Sequence, residues 1–105
     1  MTGGGLSARE LTQVTEVLGR YPEIREAILF GSRALGRHRP ESDVDLALVG
    51  VGDGLVAEAV ADALEDLPMP YRFDVKAFDT LLYPPLRDHI ERVGQVIYRR
   101  RAAFP

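Results

Sequence analysis

Two short apolar runs, EAILF at residues 26–30 and VDLALV at residues 44–49, constrain this chain more than any other feature. Each is too short for a packed helix, suits a buried strand, and is closed by a glycine, Gly31 or Gly50. The second run has an aspartate, Asp45, at its second position, and Asp43 stands just ahead of it. Side chains alternate faces along a strand, so Asp43 and Asp45 point the same way. Two carboxylates about 4 Å apart repel by roughly 4 kcal/mol at an effective dielectric near 20. A proton, a basic partner or a metal ion must offset that repulsion.

The other segments read as supports for these strands. SARE at 7–10 is a capping box, and Leu11, Val14 and Leu18 follow at helical spacing, so a first helix is expected to about Arg20, with Pro22 preventing its continuation. MTGGG before it reads as a loose end. RALG after Gly31-Ser32 makes about one helical turn closed by Gly36, and RHRPES is loop. Leu55–Leu67 carries one apolar face, Val56, Ala59, Val60, Ala63, Leu64 and Leu67, and predicts a helix. YRFDVKAF alternates and predicts a third strand. Pro84 and Pro85 open a last helix with an inner face of Leu86, Ile90 and Val93, and Gly94 lies past its end. QVIY reads as a final short strand or an extended arm. With 105 residues and no linker, one domain of α/β (α+β) type over residues 1–105 is expected.

The acids suggest chemistry. Asp74 sits in the third predicted strand between Phe73 and Val75, where a carboxylate is costly without an edge or a partner. If that strand lies beside the second, Asp74 joins Asp43 and Asp45. A hard-oxygen cluster of this kind suits Mg2+, which keeps waters and takes further ligands from substrate phosphates, and three carboxylates can hold two such ions. Gly31 and Ser32 complete the picture. Glycine lets the backbone approach a ligand closely, and the N–H groups that follow, with the Ser32 hydroxyl, make an anion site. It meets the acids at one end of the sheet if the first two strands run antiparallel.

Gly-Ser, ten residues, then Asp-x-Asp, with a later third acid, resembles the DNA polymerase β-type nucleotidyltransferase superfamily. GSRALG, SDVDLAL and the closing LRDHIERVGQVIY together look like the minimal nucleotidyltransferases, antitoxin partners of HEPN-domain toxins. The resemblance implies a small mixed sheet with helices packed mainly on one face. It also implies a metal-binding pair at Asp43 and Asp45, a third acid at Asp74 that shares a metal and can take the attacking hydroxyl's proton, and a nucleotide-phosphate turn at Gly31 and Ser32. Arg33 follows Gly-Ser as in many relatives and is expected to contact phosphate. The activity implied is Mg2+-dependent transfer of AMP from ATP to a tyrosine of a HEPN-type toxin. A non-catalytic antitoxin and the catalytic subunit of a small-molecule nucleotidyltransferase are the alternatives. Asp79 competes with Asp74 for the third position and is better read as a turn or helix-start residue.

Composition sets the outer bounds. A net charge of −3 argues against general nucleic-acid binding. The absence of cysteine excludes disulfides and thiolate metal sites. No apolar run is long enough to span a bilayer, and a soluble cytoplasmic protein is expected. His38 reads as a solvated loop residue, His89 as surface or partner-facing, and Arg99–Arg101 as a basic tail.

Overall fold

A computed structural model describes residues 3–100. The element order is α1 (Ala8–Leu18), β1 (Glu26–Phe30), β2 (Val44–Val49), α2 (Gly54–Glu65), β3 (Phe73–Ala77), α3 (Pro84–Val93) and β4 (Gln95–Arg99), with short 3-10 turns at Gly3–Gly5 and Phe78–Thr80. The capping box forms as expected: Ser7 Oγ accepts from the N–H of Glu10, and Glu10 Oε1 accepts from the N–H of Ser7. That same carboxylate also accepts from the Tyr71 hydroxyl, so the start of α1 is tied to the entrance of β3. α2 begins behind an Asp53 cap, which satisfies the N–H of Leu55.

The strands form one mixed sheet of order β3-β2-β1-β4. β1 pairs antiparallel with β2 and with β4, and β2 pairs parallel with β3, the two joined by α2. A parallel neighbour requires such a crossover; β1 and β2 are joined by the 31–43 segment, and β4 reaches β1 from the end of α3. Gln95–Arg99 is therefore a true edge strand, not a free arm.

Alternation divides the sheet into two faces. Leu29, Val44, Leu46, Leu48 and Phe73 point to one side, where Val14, Val17 and Leu18 of α1 and Ala57, Val60 and Leu64 of α2 complete the main core. Phe30 and Ala47 point to the other side and meet Ile90 of α3, with Ile28, Phe78, Leu81 and Leu86 around them. Two of the three helices thus share a face, as expected, and α3 takes the opposite one. It covers only part of that face; the remainder carries the acids.

The expected loose end is ordered from Gly3: Gly4 is buried and its carbonyl accepts from Arg33. Met1 and Thr2 lie outside the described residues. Of the basic tail, Arg99 pairs with Glu26 at 2.9 Å, and the Arg100 guanidinium donates to the carbonyls of Gly19, Tyr21 and Ile24. Arg101 lies outside the described residues. Among the described residues, no helix is long and apolar enough to cross a membrane.

Candidate active site

The site is built where β1 ends and β2 begins. Asp45 is the register partner of Phe30 on one side and of Asp74 on the other. Adjacent strands lie about 4.8 Å apart, so Asp45 and Asp74 are direct neighbours. Asp43 precedes Asp45 by two residues on the same face. β3 is an edge strand, and this resolves the cost anticipated for a carboxylate between Phe73 and Val75: the Asp74 side chain is 50% exposed. Lys76, two residues on and on the same face, places Nζ 3.5 Å from Asp74 Oδ1. Asp79 does not compete for the site; its carboxylate accepts from the N–H of Gly50 at the other end of β2.

The crowding of acids has an electrostatic signature. Partial burial of Asp45, then the charges of Asp74 and Asp43, push its carboxyl above the ordinary value of 3.8, against a smaller opposing pull from Lys76 and Arg33. As the side chains stand, no three of the acidic or imidazole groups among the described residues adopt a metal-ligating arrangement. The donor set nevertheless fits a hard divalent cation such as Mg2+. It offers only oxygens, two of them on register-paired strands, and Mg2+ is held by one or two carboxylates plus water and phosphate oxygens, not by an all-protein cage.

Gly31 links the acids to the segment that follows. Its φ is +76°, and a Cβ there would collide with Oδ2 of Asp45, so both the turn and the close approach require glycine. Residues 31–36 then fold into one tight turn: Leu35 N–H donates to Gly31 O, Gly36 N–H to Arg33 O, and Arg37 N–H to Ser32 O. Gly36, at φ +72°, closes it. Among the described residues, the N–H groups of Ser32, Arg33 and Ala34 have no acceptor. Three successive free donors beside a half-buried serine hydroxyl form the kind of backbone concavity that binds anions.

Arg33 departs from expectation. It is 2% exposed, and its guanidinium donates to Gly4 O at 2.6 Å, Pro40 O at 3.2 Å and Ser42 O at 3.0 and 3.2 Å while lying 4.7 Å from the Tyr71 ring centroid. A fork consumed by three carbonyls is a fastener for the 37–42 loop, so the guanidinium of Arg33 is turned inward and only its backbone N–H is free to meet a phosphate. His38 is half-buried, not solvated, with Nδ1 enclosed. A pocket of about 320 Å³ lined by Gly5, Arg33, His38, Pro40, Pro70 and Tyr71 includes none of the acids.

The structure also brings His89 beside the turn, where the sequence alone reads it as surface or partner-facing. Its Nε2 lies 3.2 Å from the N–H of Gly31, and its ring meets Phe30 edge-on at 6.2 Å. The only sequence signal was its place one residue before the inner-face Ile90.

A family model described as polymerase beta, nucleotidyltransferase, matches residues 12–103. The chain belongs to the polymerase beta nucleotidyltransferase family. Solved structures of similar fold include three toxin–antitoxin complexes. MntA–HepT aligns at a TM-score of 0.68 and 15% identity over 90% of this chain and 74% of the matched one. A toxin–antitoxin with AMP-PNP aligns at 0.69 and 17%, over 89% and 73%. The tri-AMPylated Shewanella oneidensis HEPN toxin in complex with MNT antitoxin gives 0.66 and 15%, over 88% and 71%. No curated protein matches the chain. In this member of the family the geometry brings together three parts: an acid pair in register, a third acid beside it, and a donor-rich turn at the end of the neighbouring strand.

Proposed function

We propose that this nucleotidyltransferase transfers AMP from ATP to a hydroxyl, a tyrosine's, on a HEPN-type toxin, and so acts as its antitoxin. The observation that carries the reading is the in-register pair Asp45–Asp74, with Asp43 beside it and Gly31 closed down on Asp45. Likeness in fold to complexes described as holding AMP-PNP or an AMPylated toxin supports the choice of nucleotide and partner.

In this reading the N–H groups of Ser32, Arg33 and Ala34 and the Ser32 hydroxyl hold the β- and γ-phosphates. Asp43, Asp45 and Asp74 hold Mg2+, which when bound neutralises charge on the triphosphate and the acceptor oxygen. Asp74, the more exposed member of the paired acids, faces the incoming hydroxyl and accepts its proton. The acceptor oxygen forms a bond to the α-phosphorus, the bond from that phosphorus to the bridging oxygen breaks, and pyrophosphate leaves with the electron pair. Positioning dominates such a step, since an error of about 1 Å can cost on the order of a hundredfold in rate. The acceptor is supplied by another molecule, and half-exposed Asp74 on the edge strand stands where a large acceptor can approach.

The test is incubation with α-labelled ATP, Mg2+ and a cognate HEPN-type toxin. Label and a mass increase of one or more AMP units on the toxin are expected, and Asp45→Asn should abolish both. Toxin left unlabelled by the wild-type protein, yet neutralised, would replace transfer with simple covering; label transferred by the Asp45→Asn variant would remove the proposed acid chemistry.

A further inference from the structure

The end of α3 and the start of β4 approach the phosphate turn from the side opposite the Arg33 fastener. His89 Nε2 receives the N–H of Gly31, and Gln95 Nε2 donates to the carbonyl of Ala34 at 3.0 Å. These contacts bracket the free donors of Ser32, Arg33 and Ala34. His89 is itself fixed in three ways: by α3, whose neighbouring Ile90 is buried; by the edge of Phe30; and by its bond to the turn. Nε2 is thus placed as the acceptor of the Gly31 N–H.

We infer that His89 is a positioning residue for nucleotide phosphate. It withdraws the Gly31 N–H from the substrate, anchors the turn to α3, and thereby sets the direction of the three donors that follow. The inference rests on the functional reading above. Gly31 is conformationally permissive at its φ of +76°, so its own backbone does little to fix the turn and an external hold on its N–H matters. Without an acceptor at His89, a half-buried N–H is left unpaired, and the turn must rotate toward water or toward the phosphates to satisfy it. Either movement misaims the remaining donors.

Two variants separate the acceptor from the packing. His89→Phe keeps an aromatic edge against Phe30 and has no acceptor; His89→Gln loses the ring but offers an amide oxygen. The expected results are AMP-PNP·Mg2+ binding roughly 3- to 10-fold weaker in His89→Phe, the loss of about one hydrogen bond, with a transfer rate lower by up to about a hundredfold. His89→Gln should remain within about threefold of wild type. The Gly31 amide, followed by hydrogen exchange in the nucleotide-free protein, should be protected in wild type and His89→Gln and exposed in His89→Phe. Equal nucleotide binding and equal Gly31 protection in wild type and His89→Phe would overturn the inference. So would equal losses in both variants, because the acceptor would then be irrelevant. Failure of the wild-type protein to bind or transfer nucleotide would instead refute the functional reading, and the Gly31 amide would still report whether His89 holds the turn.

Discussion

Replacing Arg33 with methionine tests the reassignment of this residue from substrate contact to internal fastener. The side chain is 2% exposed and supplies hydrogen bonds to three carbonyls. Leaving the buried Gly4 carbonyl without its donor costs about 1–3 kcal/mol, and the more accessible Pro40 and Ser42 carbonyls, which can turn to water, cost about 0.5 kcal/mol each. The lost contact with the Tyr71 face adds about 1 kcal/mol. Removing a desolvated charge returns about 1–2 kcal/mol of this total, within the range for apolar replacement of buried ions. The net loss is about 2–3 kcal/mol, against about 5–15 kcal/mol for a whole domain. In urea unfolding followed by circular dichroism, the midpoint should fall at unchanged slope. Thermal melting should drop by roughly 10–25 °C at about 4–8 °C per kcal/mol. Arg33→Lys should recover little, because a point charge cannot serve three divergent carbonyls. A stability change under about 0.5 kcal/mol in Arg33→Met, accompanied by a large loss of nucleotide affinity, would refute the reasoning and return Arg33 to the phosphates.

Two further outcomes are expected. The raised carboxyl of Asp45 makes the folded state hold its proton more tightly than the unfolded chain does, so the associated stability is present below about pH 3.8 and is lost as pH rises through the higher folded value. Metal-free wild type should therefore lose stability across that interval, and Asp45→Asn should flatten the profile and be the more stable protein at pH 7; denaturant titrations in chelator at several pH values measure this. Gly31→Ala should cost about 1–2 kcal/mol for its left-handed backbone and displace the Asp45 carboxylate, lowering transfer far more than stability; parallel melting and labelling assays separate the two effects.

The acids were legible because strand alternation is a local rule: the shared face of Asp43 and Asp45 follows from their spacing, and the structure places Asp74 beside Asp45 as the third strand's proposed position required. The capping box at Ser7 and Glu10 was legible for the same reason. What could not be read depends on which elements become neighbours. Periodicity marks Ile90 as inward-facing but does not say that α3 packs against Phe30 and Ala47, on the acid-bearing side of the sheet. His89 and Gly31 are 58 residues apart, and no spacing rule connects them. The inward turn of the Arg33 guanidinium was not legible because its carbonyl partners come from a distant glycine and a loop, and the backbone groups they present carry no sequence signature.

The parallel pairing of β2 with β3 through α2 means that both register-matched acids belong to one uninterrupted stretch of chain, whereas the donor turn depends on fastenings from the far end of the sequence. Regions held by different sets of contacts can open separately. If α3 and β4 detach, the turn is released first and the β–α–β unit keeps its carboxylates in place. In the proposed function, grip on the triphosphate and grip on the cation would thus be separable thermodynamic properties of this small domain, and a protein partner that presses on the last helix would alter one without disturbing the other.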